Sequence, residues 1–247
     1  MTDLTHIDAK TRRVLDRAVA ELKTRYGPDL TGAILYGSAT GPEFLAGRSD
    51  LNLLVLLARV PLAALQAARE FSRAWRRHRI RPLLMSPADV HRSLDVFPIE
   101  MLEIQAAHVT LYGDDPFGEL RVRPADLRRQ CECEFKRHVM RFRHAFIGGD
   151  GAADPARLLT ESITGLVPLL RAFSRVAGGP STPATRSETV MRAAQAAGFD
   201  PEPVLKVLEL KRGGRRLSRA DLSALAGAYL DQLERVVDAT DRLPIGD

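Results

Sequence analysis

The residues best suited to chemistry lie in one stretch: Gly37-Ser38, ten intervening residues, then Ser49-Asp50-Leu51-Asn52 running into Leu53-Leu54-Val55. A glycine directly after an apolar run lets backbone approach a ligand closely, and Ser38 can offer a hydroxyl and an amide to a phosphate. Residues two apart on a strand share a face, so the side chains of Asp50 and Asn52 should emerge side by side. Two oxygen ligands then converge where a divalent cation and a triphosphate could meet. Gly37 and Ser38 are therefore candidates for holding a phosphate-bearing ligand, and Asp50 and Asn52 for metal binding and for catalysis at that metal.

The flanking pattern supplies elements able to position these groups. Val14, Leu15, Ala18, Val19, Leu22 and Tyr26 recur at three- and four-residue steps, which predicts an amphipathic helix over 8–26 that stops at Gly27-Pro28. Residues 33–36 and 51–57 are short apolar runs bounded by glycine and proline, as expected of buried strands, with a loop or short helix containing Gly41-Pro42 between them. Pro61 opens a helical stretch to Trp75, and residues 80–85 read as a third strand in which Pro82 suits an edge or a bulge. Turn residues 112–116 mark a boundary. Beyond Pro124 the period is helical: one face carries Leu127, Cys131, Phe135, Val139, Phe142 and Phe146 as far as Gly148-Gly149, and residues 158–176 are apolar nearly all round, with Pro168 inside. Residues 178–183 read as a loop. Asp200-Pro201 starts a further helix that ends at Gly213-Gly214, and Ser218 with Asp221 has capping-box spacing before the last one.

In this context the sequence acquires a resemblance. Strand, Gly-Ser, spacer, Ser-Asp-x-Asp-like segment and apolar strand resemble the signature of the DNA polymerase β-like nucleotidyltransferase superfamily, which includes aminoglycoside nucleotidyltransferases and small nucleotidyltransferase antitoxins. The match is close over 33–57 and extends loosely, through element order, to about Gly118. It implies an α/β nucleotidyltransferase-fold domain over 1–118, a small mixed sheet with helices, followed by an all-α helical-bundle domain over 119–247. It also implies Mg²⁺ and a nucleoside triphosphate such as ATP as cofactors. The partners would be a nucleotide and a small hydroxyl-bearing molecule or protein as acceptor.

The chain departs from that family in two places. The second metal-binding aspartate is Asn52, a neutral amide without the charge and second anionic oxygen needed to bridge two cations. The family's third carboxylate usually lies on the later strand, yet residues 80–85 contain no acid; Asp89, Glu100 and Glu103 lie beyond it, where a solvated helix face is the plainer reading. The leading expectation is therefore a nucleotide-binding protein with weak or absent transferase activity. Two alternatives stand beside it: an active Mg²⁺-dependent enzyme with a carboxylate supplied from elsewhere, and an antitoxin-like or subunit-binding protein that uses the helical domain.

Composition narrows the class further. The 247 residues are 45% hydrophobic, enough for two modest cores, and no apolar run reaches the ~18 residues a membrane span needs. The N-terminus, with Asp3, His6 and Asp8, has no signal-like apolar region, so a soluble cytoplasmic protein with no membrane partner is expected. Cys131 and Cys133 fall on nearly opposite faces of a helix and should be reduced thiols. The net charge is +5, and only five of 36 basic residues are lysine, a bias that genome base composition can produce. Arg73, Arg76, Arg77, His78, Arg79 and Arg81 form an acid-free run beside Trp75 that could hold triphosphate or nucleic-acid backbone, although a solvated helix end with the indole packed inward is the commoner arrangement. Arg128, Arg129, Lys136, Arg137, Arg141 and Arg143 are interleaved with Glu132 and Glu134, which favours pairing along a helix and disfavours nucleic acid as partner. Arg137 with His144, and Arg73 with His78, match the Arg-His spacing of helical ribonuclease toxins of the HEPN group, as chance supplies in a chain so rich in arginine. His6, His91 and His108 form no ligand spacing. Self-association is left open.

Overall fold

The computed structural model describes residues 4–41, 44–148, 154–179, 184–214 and 217–244. Pro42, Gly149 and positions 180–183 of the expected loops lie outside them. The chain divides into two compact units, Met1–Arg121 and Val122–Asp247.

The first unit opens with α1 (Ala9–Tyr26), whose first turn is capped by the Asp8 carboxylate accepting from the Thr11 N–H at 2.8 Å. Strand β1 (Leu30–Tyr36) leads into a single 3-10 turn at Gly37–Thr40, and β2 (Leu51–Leu57) returns antiparallel beside it. Helix α2 (Leu62–Arg77) crosses over to β3 (Ile80–Met85), which lies parallel to β2. Helices α3 (Pro87–Arg92) and α4 (Pro98–Ala106) precede β4 (His108–Gly113). The strand order is β3-β2-β1-β4, a mixed sheet in which β3 is an edge, the place where Pro82 costs no ladder bond.

Both faces of the sheet are covered, which is why β2 is apolar almost without interruption. On one face Leu35, Leu53, Val55 and Ile80 pack with Leu15 and Leu22 of α1 and Trp75 of α2. On the other, Ile34, Leu54 and Leu56 pack with Val90, Met101, Ile104, Phe117 and Leu120. The strand β4 is missing from the sequence reading, which took 112–116 as a turn-rich boundary. All its residues but Gly113 are half-buried, so it carries neither a continuous apolar run nor a clean alternation. Gly113 closes it at φ +75°, where a Cβ would meet the Thr31 carbonyl oxygen at 2.0 Å, so only glycine fits.

The second unit is helical at every described element: α5 (Pro124–Ile147), α6 (Pro155–Val176), α7 (Arg186–Ala197), α8 (Glu202–Lys211) and α9 (Arg219–Arg242). Helix α6 is the hub, touching α5, α7, α8 and α9, and its apolar residues are buried almost all round. Within it His138 of α5, Ser162 of α6 and Tyr229 of α9 form a buried chain, with His138 Nε2 2.8 Å from Ser162 Oγ and that oxygen 3.0 Å from Tyr229 Oη. Ser218 and Asp221 make the anticipated capping box. Phe146 departs from the expected apolar face of α5, being 41% exposed in the helix's last turn. Cys131 is buried, which pushes its thiol up to about 12, whereas Cys133 is exposed. No helix among the described residues is long and apolar enough to cross a membrane.

Candidate functional site

The end of β1 is built to hold an unusual backbone. Gly37 adopts φ +78°, and a Cβ placed there would lie 3.1 Å from Asn52 Nδ2. Its N–H donates to the Ala107 carbonyl at 2.8 Å, and its own carbonyl accepts from Thr40 Oγ1 at 2.9 Å. Thr40 is buried, so the turn is fixed from within while Ser38 is exposed at its tip. His6 adds a brace that its spacing did not signal: its Nε2 donates to the Ala39 carbonyl at 3.0 Å.

Asn52 lies at the centre of this end of the sheet. It is the register partner of Tyr36 on β1 and of Arg81 on β3. The structure therefore brings Asn52 to the Gly37 turn. Asp50 is engaged from the β3 side: Arg79 Nη2 lies 3.0 Å from its Oδ1, and Arg81 Nε lies 3.6 Å from its Oδ2. Asp50 Oδ1 and Arg79 Nε are both buried without a hydrogen-bond partner, so the closer contact is a charge pairing without donor alignment. Backbone pairing sets this geometry, because the Leu51 N–H donates to the Arg79 carbonyl at 3.0 Å.

Arg79 is also the one non-glycine residue among those described with positive φ, at 60°. It follows the C-terminal end of α2, where its N–H reaches the Arg76 carbonyl at 3.0 Å, a position at which glycine avoids a cost of about 1 kcal/mol. The basic run expected as a solvated helix end thus divides. Arg73, Arg76, Arg77 and His78 are exposed, Trp75 is buried with Nε1 donating to Glu21 Oε2 at 2.7 Å, and Arg79 and Arg81 turn to Asp50. In the second unit Arg137 is paired with Glu134, and His144 is exposed on α5.

The residues present are a poor match for Mg²⁺. A hard dication takes anionic oxygens, and here a single carboxylate already faces two guanidinium groups while its neighbour is a neutral amide. Of the acids beyond β3, Asp89 is committed to capping α3: its Oδ2 accepts from Ser86 N at 2.9 Å and Ser86 Oγ at 2.7 Å, bonds that hold its carboxyl below the usual range. Glu100 is exposed and Glu103 half-buried on α4. Two surface cavities of about 490 and 480 Å³ lie elsewhere, one between α7 and α9 around Asp231 and Arg235, the other around Asp29 and Arg59.

A solved structure of the spectinomycin adenyltransferase AAD(9) from Enterococcus faecialis, with ATP and spectinomycin, superposes on this chain with a TM-score of 0.61. The match covers 91% of this chain and 99% of that one at 13% identity. The chain has the nucleotidyltransferase fold. No protein-family model matches it, and no curated protein matches it in sequence. Within the nucleotidyltransferase fold, the Gly37 turn and the start of β2 occupy the stretch whose motif first suggested it, and Arg79 and Arg81 are the neighbours that the sequence reading assigned to solvent.

Proposed function

We propose that this chain binds a nucleotide at the Gly37-Ser38 turn and the start of β2, and transfers it weakly or not at all. The Gly37 conformation supports the first part, because a fixed turn with an exposed serine at its tip presents backbone and hydroxyl to phosphate oxygens. The structural neighbour was solved with ATP and spectinomycin, which makes ATP the first nucleotide to test and a small polyhydroxylated molecule the first acceptor.

The observation that carries the second part is Asp50 held between Arg79 and Arg81 beside the neutral Asn52. In-line transfer to a hydroxyl needs a group to accept its proton and positive charge placed to stabilise the developing anion. Asp50 is the only carboxylate on the Asp50-to-Asn52 segment, and its two oxygens already face Arg79 and Arg81. Titration calorimetry with ATP, paired with a labelled-ATP transfer assay against spectinomycin and against a cell lysate, tests both parts. Binding without transfer is expected. Robust turnover would replace this reading with the active enzyme, and absence of ATP binding would leave the helical unit as the place to look for function.

A further inference from the structure

Resting on the nucleotide-binding reading, we propose that Arg79 and Arg81 stand in for divalent cations, so that the site takes its ligand as a free polyphosphate and not as a magnesium complex. The argument begins with register. Gly37 at the end of β1, Asn52 on β2 and Arg81 on β3 lie side by side across three neighbouring strands, about 10 Å from first to last. Arg79 sits two residues earlier, beside Asp50, with its carbonyl bonded to the Leu51 N–H.

The local charge is inverted relative to a metal site. One carboxylate against two guanidinium groups leaves a net positive charge beside the phosphate turn, and a dication would have to displace both arginines from Asp50 to gain a single anionic ligand. A polyphosphate meets no such competition. The two arginine side chains are 43% and 58% exposed, so each keeps donors free of Asp50 to form forked bonds to phosphate oxygens. Asp50 then acts as a positioning residue that holds the forks at the sheet edge.

The backbone of Arg79 gives independent support. A left-handed residue just past a helix end is a position for glycine, and keeping arginine there means accepting strain for the sake of its side chain.

The test is calorimetric titration of the full chain with ATP in EDTA and again in excess Mg²⁺, repeated for Arg81→Gln and Arg79→Gly. The expected result is binding in EDTA at least as tight as in Mg²⁺, weakened about ten- to hundredfold by Arg81→Gln. Arg79→Gly should also weaken binding while leaving the thermal midpoint unchanged or raised, because it relieves the positive φ; a purely structural Arg79 would give the opposite pattern. Binding that appears only with Mg²⁺, or that survives both substitutions, overturns this inference and leaves the nucleotide site standing. Absence of binding in both buffers overturns both.

Discussion

The amide of Asn52 lies 3.1 Å from the point where Gly37 would carry a side chain, so the turn after β1 and the start of β2 come this close with glycine at position 37. Gly37→Ala forces a methyl group into left-handed backbone at φ +78° and against that amide. It should cost about 1–2 kcal/mol in denaturant unfolding and weaken ATP binding. Equal stability and affinity in the mutant would show that the turn has no bearing on the ligand.

Asn52→Asp places a second carboxylate between the turn and Arg81. It should make ATP binding respond to Mg²⁺, with affinity in Mg²⁺ rising about ten- to hundredfold over that in EDTA. Adding Arg81→Gln should enlarge the response by removing the cation that competes for the new acid. Turnover should remain absent, since no free carboxylate is created to take the acceptor's proton. Transfer by the single mutant would show Asn52 to be the sole lesion.

Trp75 ties α2 to α1 through Glu21 and stacks near Phe71, with ring centroids 4.5 Å apart. Trp75→Phe loses the bond to the carboxylate and part of the packing, and should lower the stability of the first unit by about 1–2 kcal/mol. In the unaltered chain its fluorescence should follow unfolding of that unit alone, because it is the only tryptophan.

His138 makes the helical unit sensitive to acid. Burial, with a smaller contribution from the charge of Arg141, holds its imidazole down to about 4 against an ordinary value of 6.5. The unfolded chain therefore takes up a proton first as pH falls. Stability is full above about pH 6.5 and declines until about pH 4, by on the order of 3 kcal/mol. His138→Gln should flatten that slope in thermal melts between pH 7 and 4. An unchanged slope would place the acid sensitivity elsewhere.

Much of the sheet was legible because its strands are short apolar runs with glycine or proline at their ends. The runs at 51–57 and 80–85 match β2 and β3, and Gly37 falls at the turn its position suggested. The half-buried edge strand β4 carried no such pattern. Helix α7 also went unread, since its buried Thr189, Val190, Ala193 and Ala194 are too small and mixed to mark an apolar stripe. The pairing of Asp50 with Arg79 and Arg81 was out of reach for a different reason. It depends on β3 running parallel to β2 in one register, and a pattern read along the chain shows which face a residue takes but not which neighbour stands opposite.

The two cysteines, set on opposite sides of α5, give the helical unit a chemical reporter. Cys131 is 1% exposed and protonated at neutral pH, while Cys133 faces solvent, so a maleimide should add once to the native chain and at a known place. A second addition requires Cys131 to leave the core. The rate of that second event, followed by mass spectrometry, would time the opening of the bundle without any engineered label.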